Sequence, residues 1–158
     1  MADPLSITAS IVALIQVSLR VTVLIKEFRN EVSGVEATLT GLLNDVDGFQ
    51  RVLECMKETI DENNINTNLH TTGHVGSHWK NLARSLNDGA DALRKLQALL
   101  YSINKKTSVL DAHRKQIRLK SATGQISRYR EQIQSSHSAL QLSLSTIILY
   151  VSLVASVM

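Results

Sequence analysis

Residues 35–60 read VEATLTGLLNDVDGFQRVLECMKETI, and this stretch decides the fold class. Its apolar residues recur at spacings of three and four, and Glu, Asp and Lys occupy positions between them. That period is typical of an amphipathic helix that buries one face. The residues predicted to face a core are Val35, Leu39, Leu42, Val46, Phe49, Leu53, Met56 and Ile60.

The same period recurs further along the chain. A third helix is predicted from Ser77, with a core face of Trp79, Leu82, Leu86, Ala90, Leu93, Leu96, Leu100 and Ile103. A short basic helix is predicted at 109–119. A last helix is predicted from Gln125, with a core face of Ile126, Tyr129, Ile133, Leu140, Leu144, Ile147 and Val151. Polar segments at 61–77 and 104–108 are predicted as a long loop and a connector, and a break is predicted at 121–124.

The composition supports a helical architecture. The chain of 158 residues contains one proline and seven glycines, and aromatic residues make up 4% of it. Long helices tolerate few such breakers, and sandwich or barrel cores rely on aromatic residues. We therefore expect an all-α bundle of four to five helices, forming one domain over residues 1–148 with an apolar tail at 149–158. No charged residue follows Glu131 if His137 is neutral.

A long apolar helix is predicted at the N-terminus, from about Pro4 to Arg29. Asp3 suits a helix cap and Pro4 the first helical position. Residues 15–23 alternate as a strand would, but an unbroken apolar run of about 25 residues is far longer than a typical strand. One helical face carries Ile7, Ile11, Leu14, Ile15, Val21, Ile25 and Phe28.

The free energy of inserting the first helix into a membrane is predicted to be close to zero, so a protein core and a membrane are both suitable surroundings for it. Residues 5–25 contain twelve Leu, Ile or Val residues, each contributing roughly −0.3 to −0.6 kcal/mol to membrane insertion. Arg20 offsets about 1–3 kcal/mol of this sum, and Gln16 with several hydroxyl side chains offsets more. Packing as a central bundle helix is the resting state we expect, and a balanced helix can switch between the two environments.

Nothing in the sequence assembles a catalytic or metal site. G-x-S-x-G, Walker and G-x-G-x-x-G patterns do not occur. His70, His74 and His78 have a helical spacing, but glycines interrupt it, so no metal or cofactor is predicted. Cys55 is predicted to be a buried or half-buried thiol, and a single cysteine indicates a reducing compartment. The N-terminus also lacks the basic residues of a secretory signal, which favours a cytoplasmic location.

A basic patch is predicted around the short helix. It comprises Lys105, Lys106, Arg114, Lys115, Arg118 and Lys120, against the single acid Asp111, and Arg128 and Arg130 extend it. Three interpretations stay open: a solvated helix face, a partner surface for anionic lipid head groups, or nucleic acid. Nucleic acid is the least favoured, because the patch has almost no interleaved aromatics and the net charge is only +3.

Both ends of the chain resemble a known family. MADPLSITASIVALIQ at residues 1–16 and ISRYREQIQSSHSALQLSLSTI at 126–147 are similar to the HeLo-like N-terminal domain of fungal STAND (NLR-like) receptors. That family is also named after the azaphilone pigment cluster protein L. The resemblance covers essentially the whole chain and is more specific at its ends. Residues 149–158 look unlike the usual continuation.

The resemblance implies a helical bundle that acts as the effector end of an intracellular sensor. Related HeLo domains, and the similar four-helix bundle of the necroptosis executioner, are thought to permeabilise membranes after oligomerising and releasing the N-terminal helix. The residues that would take this role here are Leu5, Ile7, Ile11, Val12, Leu14, Ile15, Leu19, Val21 and Ile25. The implied partners are other copies of the chain, anionic lipids at the plasma membrane, and an NLR-type receptor or a fused nucleotide-binding or repeat region.

Two other functions stay open at this point. The chain could be a small protein anchored in a membrane by one or both apolar ends. It could also be a passive bundle that serves only for homotypic or receptor assembly. An enzyme is the least favoured class.

Overall fold

The computed structural model describes residues 4–32, 34–62, 76–104 and 111–157. Within them the chain forms five helices: α1 (Pro4–Glu31), α2 (Glu36–Glu62), α3 (Gly76–Asn104), α4 (Asp111–Ser121) and α5 (Thr123–Val157). These residues contain no strand, so the predicted all-α class with a long apolar N-terminal helix is confirmed. Most of the predicted loop at 61–77 and of the connector at 104–108 lies outside the described residues.

Four long helices form the bundle. α1 packs against α2 and α3, and α5 packs against the same two helices, so α1 and α5 occupy opposite corners. The short helix α4 makes smaller contacts with α3 and α5. This arrangement buries one stripe of each long helix in a common core.

The contacts between side chains fix the helix directions. Along α2 and α5 the residue numbers increase in the same direction, because Arg130 donates a hydrogen bond to Asp45 and His137 lies against Gly48. These two neighbours therefore run parallel. α1 and α2 run antiparallel, since only residues 32–35 separate them. The α1–α2 turn consequently lies at the same end of the bundle as the start of α5.

The sequence predicted the core faces of α2 and α3 correctly. Every residue predicted for those two faces is buried. On α5 the predicted core residues are also buried, except that Tyr129 is half-buried and the side chain of Val151 is not described. On α1, Ile15 is only half-buried, whereas the other six residues of its predicted face lie in the core.

Side chains of two helices meet a glycine of a third helix inside the bundle. The Phe49 ring of α2 lies over Gly89 of α3, where a Cβ atom would come within 2.5 Å of the ring Cζ. Ser136 of α5 is buried beside the same glycine. A small residue at each of two positions thus leaves room for one large ring, which is how close-packed cores accommodate large side chains.

The junction of the last two helices differs from the predicted break at 121–124. Only Ala122 separates α4 from α5, and its N–H donates to the carbonyls of Arg118 and Leu119. The Thr123 hydroxyl donates to the Lys120 carbonyl at 2.7 Å. This side-chain hydrogen bond replaces one of the backbone hydrogen bonds that are lost where α4 ends. Gly124 lies inside α5 with no neighbour near its Cβ position. The predicted tail at 149–158 continues α5 as helix up to Val157.

Candidate functional site

The outer face of α1 carries large exposed apolar side chains among polar ones such as Gln16 and Arg20, whereas the described outer face of α2 carries no large exposed apolar side chain. Val12, Leu19 and Val23 follow at spacings of seven and four, so they form one stripe on the helix. Leu19 is 49% exposed and Val23 55% exposed. The stripe faces away from the core that the opposite side of α1 fills. We call Val12, Leu19 and Val23 the outer stripe.

Helix α1 is the one described helix that is long and apolar enough to cross a bilayer. The candidate span is Ser6–Glu31, and only 39% of its most apolar window is buried in the bundle. Core helices of soluble proteins and signal sequences can have the same length and composition. In α1, Ile15 and Val17 are half-buried against the core, and Val12, Leu19 and Val23 are exposed.

The inner face of α1 contains two buried hydroxyl groups. Ser18 is fully buried, and its hydroxyl donates to the Leu14 carbonyl at 2.8 Å. Thr22 is also buried, and its Oγ1 has no hydrogen-bond partner among the described residues. An unpaired buried hydroxyl destabilises the folded state. The fit of α1 into the core is therefore less favourable than its apolar composition alone suggests.

The nine residues predicted for membrane activity fall into four groups. Ile7, Ile11, Leu14, Val21 and Ile25 lie in the core. Ile15 is half-buried, Val12 and Leu19 are exposed, and the side chain of Leu5 lies outside the described residues. Val23, which the prediction left out, completes the outer stripe. Its spacing of four from Leu19 was the signal that could have identified it.

The predicted basic patch is divided between two sides of α4. Arg114, Arg118 and Lys120 are exposed, and the exposed Ile117 lies among them. Lys115 instead points inward and is buried, because its Nζ donates to the Glu31 carboxylate at 2.8 Å. We call Arg114, Arg118 and Lys120 the outer cations. Lys105 and Lys106 lie outside the described residues.

The two residues predicted to extend the patch also differ from each other. Arg128 is exposed. Arg130 is half-buried between α5 and α2, where its Nε donates to Asp45 Oδ2 at 2.6 Å. Its guanidinium lies over Gly41, so that a Cβ atom there would come within 2.8 Å of it. Arg130 therefore joins two helices of the bundle and is not a free surface cation.

A second exposed apolar surface lies on the last turns of α5. Leu142, Leu149 and Leu153 share one face, and Leu149 and Leu153 are 63% and 57% exposed. Leu142 borders an open groove between α2 and α5 that Val52, Cys55 and Leu144 also line.

The thiol of Cys55 is exposed, so the prediction of a buried or half-buried thiol was wrong. The residue lies close to the buried Val52, on the side of α2 that borders this groove.

The described residues contain no group of three or more His, Cys, Asp or Glu side chains that could hold a metal ion. His70 and His74 lie outside the described residues, and the side chain of His78 is not described either.

Together these features define a helical-bundle domain with a partly uncovered apolar N-terminal helix. The chain belongs to the family described as pigment biosynthesis cluster protein PigL N-terminal, whose model matches residues 2–158. The resemblance to the family named after the azaphilone pigment cluster protein L, inferred from the two ends of the sequence, is thereby confirmed. No curated protein and no solved structure matches the chain.

Proposed function

We propose that this domain is a non-enzymatic effector of fungal NLR-like immunity or heterokaryon incompatibility. It rests in the cytoplasm, and on activation it oligomerises, relocates to the plasma membrane and inserts α1, which permeabilises the membrane and kills the cell. The observation that carries the proposal is the outer stripe, because it leaves one face of an apolar helix in contact with water.

The dimensions of α1 suit a bilayer. The 26 residues of Ser6–Glu31 form a helix of about 39 Å, at 1.5 Å per residue, whereas a hydrocarbon core is about 30 Å thick. In the bundle the core covers only the inner face of this helix. A bilayer would cover the inner face and the outer stripe together, which is an advantage that the bundle cannot offer.

Polar groups on α1 oppose insertion. Arg20 is exposed in the bundle, and it would have to reach the head-group region from within the membrane. Gln16 is also exposed, and the hydroxyl of Thr22 would need a partner in lipid as it does in the core. Arg20 and Gln16 keep the resting bundle favoured, whereas Thr22 lacks a partner in both environments, so insertion requires a trigger or a second copy of the chain.

The exposed leucines of α5 support a second candidate. Leu149 and Leu153 are at least as exposed as the outer stripe, and no charged residue follows Glu131. They could anchor a small membrane protein at its C-terminal end, or they could join copies of the domain in a passive assembly with a receptor. An experiment must therefore separate α1 from the end of α5.

Dye leakage from vesicles of phosphatidylcholine and phosphatidylserine makes this separation with the full chain. The test variant is Leu19→Lys with Val23→Lys, and the matched control is Leu149→Lys with Leu153→Lys. Each pair has similar exposure, so circular dichroism should show intact helices in both. A lysine near the centre of an inserted helix costs about 2.5–3.5 kcal/mol, whereas added positive charge favours binding to anionic lipid.

The proposal predicts that the α1 variant loses leakage while still binding vesicles, and that the α5 variant leaks them like the parent. Loss of leakage in the α5 variant alone would assign the membrane role to α5. Absence of leakage by the parent protein, at any lipid charge and with the protein bound to the vesicles, would contradict permeabilisation.

A further inference from the structure

An ion pair joins α4 to the last residue of α1. Lys115 Nζ lies 2.8 Å from Glu31 Oε2, and these residues are 84 positions apart in sequence. The lysine side chain is 10% exposed and the glutamate side chain 50% exposed. Lys115 is the one charged residue in the described core, so its burial in this position depends on a partner.

The residue after Lys115 covers the turn between α1 and α2. Gly34 has a φ of +88°, a conformation that favours glycine, and its N–H donates to the Glu36 carboxylate at 3.0 Å. A Cβ atom at Gly34 would lie 2.8 Å from Nε2 of Gln116. Two consecutive residues of α4 thus contact the end of α1 and the turn that follows it.

The rest of α4 is lightly attached to the bundle. It has 11 residues, and its contacts with α3 and α5 are much smaller than those among the four long helices. Leu119 is its main buried apolar residue, and Ile117 is exposed. A short helix held by few apolar contacts can detach locally at a small fraction of the global stability.

We propose that α4 is a clamp that holds the C-terminal end of α1 in the bundle, and that an anionic lipid surface opens it. The outer cations first bind the surface. Opening then frees Lys115 from Glu31 and adds one more cation to the lipid contact, so the surface binds the open state more tightly. This differential affinity is what allows a ligand to shift a conformational equilibrium.

The inference rests on the proposed function, but the clamp can be tested without leakage. The test variant is Glu31→Lys, which places a second positive charge against Lys115. The matched control is Glu27→Lys, which makes the same charge change at an exposed position one turn earlier on α1. Both variants gain equal positive charge, so general attraction to anionic lipid is the same.

Hydrogen exchange followed by mass spectrometry gives the first readout. We expect amides in residues 24–36 to exchange at least fivefold faster in Glu31→Lys, and at the parental rate in Glu27→Lys. The double variant Glu31→Lys with Lys115→Glu reverses the pair and should restore slow exchange. Equal exchange of residues 24–36 in Glu31→Lys, Glu27→Lys and the parent would overturn the clamp.

The second readout is the response of the parent protein to lipid. Vesicles of phosphatidylcholine and phosphatidylserine should accelerate exchange in residues 24–36, whereas pure phosphatidylcholine vesicles and inorganic phosphate should not. Acceleration by phosphate alone would show that the outer cations respond to any anion, which contradicts a lipid-surface trigger. Leakage at a lower phosphatidylserine fraction by Glu31→Lys than by Glu27→Lys would link the clamp to permeabilisation.

The two proposals can fail separately. If no variant leaks vesicles but the exchange results hold, the clamp stands and the permeabilising function is wrong. If leakage depends on the outer stripe but Glu31→Lys and Glu27→Lys behave alike, the function stands and the clamp is wrong.

Discussion

Replacing Thr22 by valine should stabilise the bundle, because valine has the shape of threonine without its hydroxyl. Thr22 is buried on the inner face of α1, and its Oγ1 has no hydrogen-bond partner among the described residues. Mutational data place the cost of an unpaired buried hydroxyl at about 1–3 kcal/mol. The two residues have similar helix propensity, so the hydroxyl is the main difference between them. We take the lower end of this range and expect Thr22→Val to raise the free energy of unfolding by about 1 kcal/mol.

The matched control is Thr22→Ser, which keeps the hydroxyl and removes the methyl group. Losing one buried methyl group should cost about 1 kcal/mol, so the two variants should differ by about 2 kcal/mol. Urea denaturation followed by circular dichroism measures both, and the melting temperature of Thr22→Val should rise by about 2–4 °C. If Thr22→Val were no more stable than the parent, the hydroxyl would have a partner and the account of a poorly fitting α1 would be wrong.

The stability of the bundle also depends on the glycine at position 89 and on the carboxylate of Glu36. Gly89→Ala should lower the free energy of unfolding by about 1–3 kcal/mol, because a Cβ atom would lie 2.5 Å from the Phe49 ring. The control is Gly124→Ala, at a position open to solvent. It should leave the free energy of unfolding unchanged or raise it in the same urea titration. The backbone N–H groups of Glu36 and Gly34 hold the pKa of the Glu36 carboxyl below its ordinary value of 4.5. Above pH 4.5 the parent should therefore have a higher melting temperature than Glu36→Gln, and this difference should disappear as the pH falls through the lowered pKa. A difference in melting temperature that stays the same from pH 7 to pH 2.5 would contradict this.

The core faces of α2 and α3 could be predicted from the sequence because charged residues mark their exposed sides. On α1 the periodicity placed Ile11 on the core face, but apolar residues surround this helix, so no charged side marked Val12 and Leu19 as exposed. The orientation of α1 depends on which helices contact it, and that is decided by the whole bundle. The exposure of the outer stripe therefore emerged only from the structure, although the spacing of its residues is visible in the sequence.

The division of the basic patch could not be predicted either. Lys115 lies in a run of basic residues, and composition gives no reason to separate it from Arg114. Its inward position depends on Glu31, which is close in space but 84 residues away in sequence. A short helix with charges on several sides can be oriented only by such long-range contacts. The family match, in contrast, was carried by local sequence at the two ends of the chain.

Entry of α1 into the membrane is tested most directly by a probe on its outer stripe. In a Cys55→Ser background, an environment-sensitive fluorophore is attached to Leu19→Cys in one sample and to Leu149→Cys in another. Both samples are mixed with phosphatidylserine-containing vesicles that carry a quencher in the hydrocarbon region. We predict that emission from position 19 shifts to shorter wavelength and is quenched, and that emission from position 149 stays as in water. Unchanged emission from position 19, with the protein bound to the vesicles by flotation, would contradict the account.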